Sequence, residues 1–164
     1  MAESSEAMAE SLETLDAVVL YDNITTGKRG LSILATMTGI LEVNLVEIRP
    51  RPWRLDLLQD PTAAEYAMPD TSTAHVIILS TSGIAPLPHA FKIWFATILA
   101  QRQSKGEHVA VVALLGLDEI TTQTAFPDFH FIKQLTLEAE LDFFAPWFNG
   151  QHPTNMDSEK KICA

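Results

Sequence analysis

Three short apolar runs constrain this chain more than anything else in it. They cover residues 17–22 (AVVLYD), 75–81 (HVIILST) and 109–115 (VAVVALL), and each is bounded by polar or glycine-containing turns. An unbroken apolar run of this length reads as a strand buried on both faces, not as one half-wetted by solvent. Such strands need helices on both sides. The intervening segments supply them: Leu31, Leu34, Ala35, Thr38 and Leu41 recur at helical spacing, as do Phe91, Trp94, Phe95, Ile98 and Leu99. Strands alternating with helices predict parallel βαβ units joined by right-handed crossovers.

Two further strands complete the count. Residues 43–48 alternate apolar and polar, as expected of an edge strand, and the prolines at 50 and 52 are expected to stop it. Residues 141–145 form the fifth. Asp60-Pro61 reads as an N-cap with proline at the first helical position, and that helix is expected to span 61–68, ending before Pro69. Further helices are expected from about Pro88 to Gln103 and over 129–138, with a polar loop at 116–128. The fold class is therefore α/β, a three-layer α/β/α sandwich around a five-stranded parallel sheet. Residues 1–15 read as an acidic leader, 16–150 as the domain and 151–164 as a polar tail. Since Pro153 interrupts the tail, a full closing helix is not expected, and the N-terminal segment or another subunit is expected to cover part of one sheet face.

Charge and cysteine content narrow the classes of function. A formal net charge of -10 opposes binding to nucleic acid or to an anionic membrane surface. The single cysteine, Cys163, permits no internal disulfide and no thiolate metal site. No apolar run approaches the ~20 residues that span a bilayer, and the N-terminus lacks a signal-peptide pattern. The expected setting is cytoplasmic. The five histidines are scattered without metal-ligand spacing.

The turn after the first strand draws attention as a site. In an open parallel sheet, ligands sit at the carboxyl ends of the strands, and phosphate favours a helix N-terminus. Residues 23–30 place two threonines, two glycines and two cations there, in a chain that is otherwise acidic. On this reading Thr25, Thr26, Gly27, Lys28, Arg29 and Ser32 hold a phosphate, while Ser82, Gly83 and Ile84 line the group attached to it. The plainer reading is a turn and a capped helix.

These residues carry a resemblance. Gly27-Lys28-Arg29-Gly30-Leu31-Ser32-Ile33-Leu34-Ala35 is similar to the first loop of the NAD(P)H-dependent FMN reductases of the flavodoxin superfamily, with their Arg, Ser and Leu-Ala in register. Pro88-His89-Ala90-Phe91-Lys92 resembles the Pro-x-x-Leu-Lys that opens their flavin-side helix, although Ser80 to Ile84 replaces their aromatic ring-stacking segment. The resemblance implies strand order 2-1-3-4-5, FMN as cofactor, NAD(P)H as donor, a flavin or quinone reductase activity, and a homodimer. The alternative is a flavodoxin-like or degenerate receiver-like interaction module with no flavin, working through a protein partner. A phosphate-accepting receiver is disfavoured, because Asp22 stands nearly alone and the third strand ends in Ser80-Thr81.

Overall fold

The computed structural model describes residues 13–41 and 46–146. The predicted tail at 151–164, with Cys163, and most of the predicted leader lie outside the described residues. Five strands form one parallel sheet in the order β2-β1-β3-β4-β5, the flavodoxin-like order. They are β1 (Glu13–Tyr21), β2 (Val46–Arg54), β3 (Val76–Thr81), β4 (Ala110–Leu115) and β5 (Asp142–Phe144). The helices are α1 (Ile24–Leu41), α2 (Pro61–Thr73), α3 (His89–Ser104), α4 (Glu119–Thr124) and α5 (Phe126–Glu138). No helix among the described residues is long and apolar enough to cross a membrane.

The layers are unequal. Val18, Leu20, Ile77, Leu79, Val111, Ala113 and Leu115 face a thick core built from α2, α3 and α5, in which Phe91 stacks on Phe95 at 5.5 Å. Alternate residues on the same strands, Ala17, Val19, Val76, Ile78 and Leu114, with Ile48 of β2, face α1 and its Leu34. This alternation is the pleat of a sheet covered on both sides. Right-handed crossovers dictate which helix goes where. The step from β1 to β2 runs one way across the sheet and the later steps run the other way, so among the described helices only α1 lies on its face. Beyond its reach, Phe144 of β5 is 54% exposed. No described helix follows β5, and residues 147–164, on which the expectation of no full closing helix falls, lie outside the described residues.

Several boundaries differ from expectation, each for a physical reason. β2 continues through both prolines to Arg54, in register with β1 at Ala17↔Pro50 and Val19↔Pro52. Pro50 and Pro52 share one parity along the strand. Their missing N–H groups therefore fall on the outer edge, where no partner is lost. The prolines also guard that edge against further pairing. Trp53 half-buries against the core and its indole donates to Asp70 of α2 at 3.1 Å. Helix α2 does not end before Pro69 but runs through it to Thr73. The Asp60 side chain accepts from the Thr62 amide at its start, and Thr73 donates to the carbonyl of Pro69. The expected loop at 116–128 contains α4 and the first residues of α5. Asp118 and Thr121 form a reciprocal capping box there, and Pro127 occupies the first turn of α5.

Candidate functional site

The residues picked out at 23–30 are not a loop. β1 ends at Tyr21 and α1 begins at Ile24, so only Asp22 and Asn23 join them. The reason is local. The Asn23 side chain accepts from the Thr26 amide at 3.0 Å, and the Asn23 amide donates to Thr26 Oγ1 at 3.1 Å. This reciprocal cap engages two of the amide donors at the helix start, those of Asn23 and Thr26. Thr25, Thr26, Gly27, Lys28, Arg29 and Ser32 are therefore helical, and they point in different directions. Thr25, Lys28 and Ser32 are exposed, whereas Thr26 and Gly27 are buried.

Arg29 reaches the carboxyl edge of the sheet, but as part of the scaffold. Its Nε donates to Ser80 Oγ at 2.9 Å, its Nη1 to the Gly116 carbonyl at 2.7 Å, and its Nη2 to the carbonyls of Thr81 (2.9 Å) and Leu114. Ser80 Oγ in turn donates to the carbonyl of Thr26 at 2.8 Å. A single guanidinium thus ties α1 to the ends of β3 and β4, a task suited to its planar fork of donors. Burial pushes its pKa down to about 10, opposed by the field of Asp22, so the group stays cationic at neutral pH.

Asp22 is the second hub, and it was not among the predicted site residues. Its Oδ1 accepts from Thr26 Oγ1 at 2.7 Å. Its Oδ2 accepts from the Ser82 amide at 2.9 Å and from Ser82 Oγ at 2.7 Å. β1 and β3 are neighbours whose connections leave toward opposite faces, which is where a doubly wound sheet opens its crevice. Here the Asp22–Ser82 pair bridges that crevice.

Ser82, Gly83 and Ile84 do lie at the carboxyl edge, in a tightly seated loop. Gly83 has φ +77°, and a Cβ there would stand 2.5 Å from the Thr121 carbonyl oxygen. Gly116 has φ +98° and abuts Thr122 just as closely. Only glycine meets both demands, the left-handed backbone and the close approach. Further along, Asp128 of α5 accepts from the Leu87 amide at 2.8 Å and pairs with Lys92 at 3.1 Å. It latches the end of the loop, and Lys92 is committed to that pair. Thr121 and Thr122 belong to α4 and its packing, and Phe126, 55% exposed, opens α5.

The same edge also exposes large aliphatic side chains among its polar ones. Ile24 is 71% exposed, Leu57 48%, Ile84 71%, Leu117 47% and Ile120 75%. They come from the connections that follow β1, β2, β3 and β4, so all four meet the same edge. Between the β2 and β3 connections lies a cavity of about 170 Å³, lined in part by Leu55, Asp56, Gln59, Pro86 and Pro88, with Asp22 among its walls. That is smaller than the ~300–1,000 Å³ usual for sites that enclose a drug-sized ligand. Among the described residues no cluster of three or more His, Cys, Asp or Glu could hold a metal.

Apart from the local pairs Asp22/Thr26, Asn23/Thr26 and Asp118/Thr121, the lattice joins residues far apart in the chain. Arg29 and Ser80 are 51 positions apart and Asp22 and Ser82 are 60 apart, so no local signal marks them. No protein-family model matches the chain, and no curated protein matches it in sequence.

Proposed function

We propose that the chain is a flavodoxin-like module that docks a protein partner on the carboxyl edge of its sheet and carries no resident flavin. The observation that carries this reading is the apolar rim. Five large aliphatic side chains stand exposed on the four connections of a single edge, over polar groups that bond one another. Singly exposed aliphatic residues are ordinary, but a group on one functional edge marks an interaction surface. The capped N-terminus of α1 and the engaged guanidinium of Arg29 favour it too, because both remove ligands from a phosphate site.

The reading is tested by placing a photo-crosslinking amino acid at Ile84 or Ile120, with Tyr66 of α2 as an equally exposed control. Discrete adducts from the two edge positions and none from Tyr66 are expected in cells that carry the protein natively. Adducts joining two copies of this chain would make the partner a second copy. Absence of edge adducts, or the same adducts from Tyr66, overturns the reading.

One observation favours the cofactor reading: the strand order, with Ser82, Gly83 and the 71% exposed Ile84 at the edge where such folds hold FMN. On that reading Lys28 and Arg29 contact the phosphate and NAD(P)H reduces the flavin. FMN titration with fluorescence detection separates the two. Dissociation constants tighter than ~10 μM, a binding free energy of about -7 kcal/mol, would establish the cofactor reading and displace ours.

A further inference from the structure

We infer that the partner inserts an arginine side chain, flanked by apolar residues, into the cavity between the β2 and β3 connections. This inference rests on the docking reading above and adds the chemistry of what is docked. The cavity's volume of about 170 Å³ suits one long side chain, and it adjoins a shallower depression of about 470 Å³ that shares Asp22 and Asp56. Its walls are aliphatic at Leu55, Pro86 and Pro88, so they fit the methylene stem of a basic residue. Its lining also holds two carboxylates, Asp22 and Asp56, together with Gln59, and no cation.

The two carboxylates are differently placed. Thr26 and Ser82, the donors to Asp22, are neutral and orient the carboxylate, while the Arg29 cation, turned toward Ser80 and the carbonyls of Thr81, Leu114 and Gly116, offsets only part of its charge. Asp56 is exposed and paired with Arg54 at 2.6 Å, and that hydrogen bond holds its carboxyl below the usual carboxylate range. An exposed pair of this kind is weak and exchanges partners readily. A guanidinium whose stem is buried competes well for Asp56, because it adds apolar contact and directional hydrogen bonds. The flanking apolar residues of the partner then cover Leu57 on one side and Ile84 on the other.

The test uses the full chain, labelled with ¹⁵N, and two blocked tripeptides, Leu-Arg-Leu and Leu-citrulline-Leu. Citrulline keeps the shape of arginine and removes its charge. The arginine peptide is expected to shift the amide signals of Leu55, Asp56, Gln59 and Leu87, and to bind about tenfold tighter than the citrulline peptide. Asp56→Asn is expected to remove most of that difference, as is salt at about 0.5 M. Signals elsewhere in the Asp56→Asn spectrum report that the variant is folded.

Equal affinity for the two peptides overturns the inference and leaves the docking reading standing. Shifts confined to other parts of the protein, or binding of neither peptide, overturn it as well. The crosslinking result at Ile84 and Ile120 then judges the docking reading separately.

Discussion

The two faces of the sheet are held by different physics. On one, α2, α3 and α5 bury a continuous apolar core around Phe91, Phe95, Ile98 and Ile132. On the other, α1, the only described helix there, packs Leu34 over Ala17, Val19, Ile78 and Leu114, and a half-buried cation completes the attachment. The first face gains from area removed from water, which tolerates small shifts of geometry. The second depends on four directed hydrogen bonds from one side chain, which do not. A fold can thus retain a carboxyl edge rich in polar groups while spending those groups on cohesion and not on a ligand.

The sharpest way to break the contrast is to damage the thick face. Phe95 is fully buried and stacks on Phe91. Phe95→Ala is expected to cost about 3–5 kcal/mol, through lost transfer energy and the cavity left behind. Urea denaturation followed by circular dichroism reads this as a large fall in midpoint. A loss under ~1 kcal/mol would show that the core is loosely packed and the contrast overstated.

Next comes the thin face. Arg29→Ala removes a donor from Ser80 Oγ and from three carbonyl oxygens at the ends of β3 and β4, of which the Thr81 carbonyl keeps the Gly116 amide and Ser80 Oγ keeps the Thr26 carbonyl. Water reaches part of this site, so the expected cost is about 2–3 kcal/mol, below that of a fully buried ion. Arg29→Lys is expected to recover less than half of it, because a single ammonium cannot span the same acceptors. The same variants separate a scaffold role from a phosphate-binding role. A purely phosphate-binding Arg29 would leave stability unchanged and alter only the affinity for FMN.

These two faces also show what can be read from residues alone. Burial on both sides is legible in AVVLY, VIILST and AVVALL, because a two-sided strand has no room for alternating polar residues. Neither the continuation of β2 through its prolines nor that of α2 through Pro69 is legible. Each depends on which backbone groups face an edge or solvent, and only the assembled sheet decides that. The site divides in the same way. Ser82 to Ile84 is correctly placed at the carboxyl edge, since a loop after a central strand has nowhere else to go. The fate of Arg29 is not legible: a cation beside a glycine and two threonines looks the same whether it turns outward to an anion or inward to carbonyls. The deciding acceptors come from Thr81, Leu114 and Gly116, more than fifty residues away. The bridging role of Asp22 is not legible for a related reason, as its partner Ser82 lies on another connection.

The smallest expected effect lies at the edge where Arg29 holds Gly116. Just beyond that glycine, Asp118 caps α4 by accepting from the Thr121 amide at 2.8 Å and from Thr121 Oγ1 at 3.0 Å. The Thr121 backbone bond, and then its hydroxyl, hold the Asp118 carboxyl below its ordinary value of 3.8. A carboxyl whose folded pKa is depressed binds its proton more readily when unfolded. Its contribution to stability is therefore complete above the unfolded pKa and is lost as pH falls through the folded one. Asp118→Asn keeps an acceptor for the cap but has no proton to gain, so its stability should fall less steeply as the pH drops below about 4 than that of the unaltered protein. Denaturation midpoints measured at intervals across that window give the comparison. Parallel curves would mean that the charge of Asp118 adds nothing to the cap, and that α4, which carries Ile120 on the rim, is held by the neutral hydrogen bonds and by the fit of Gly83 and Gly116 against Thr121 and Thr122.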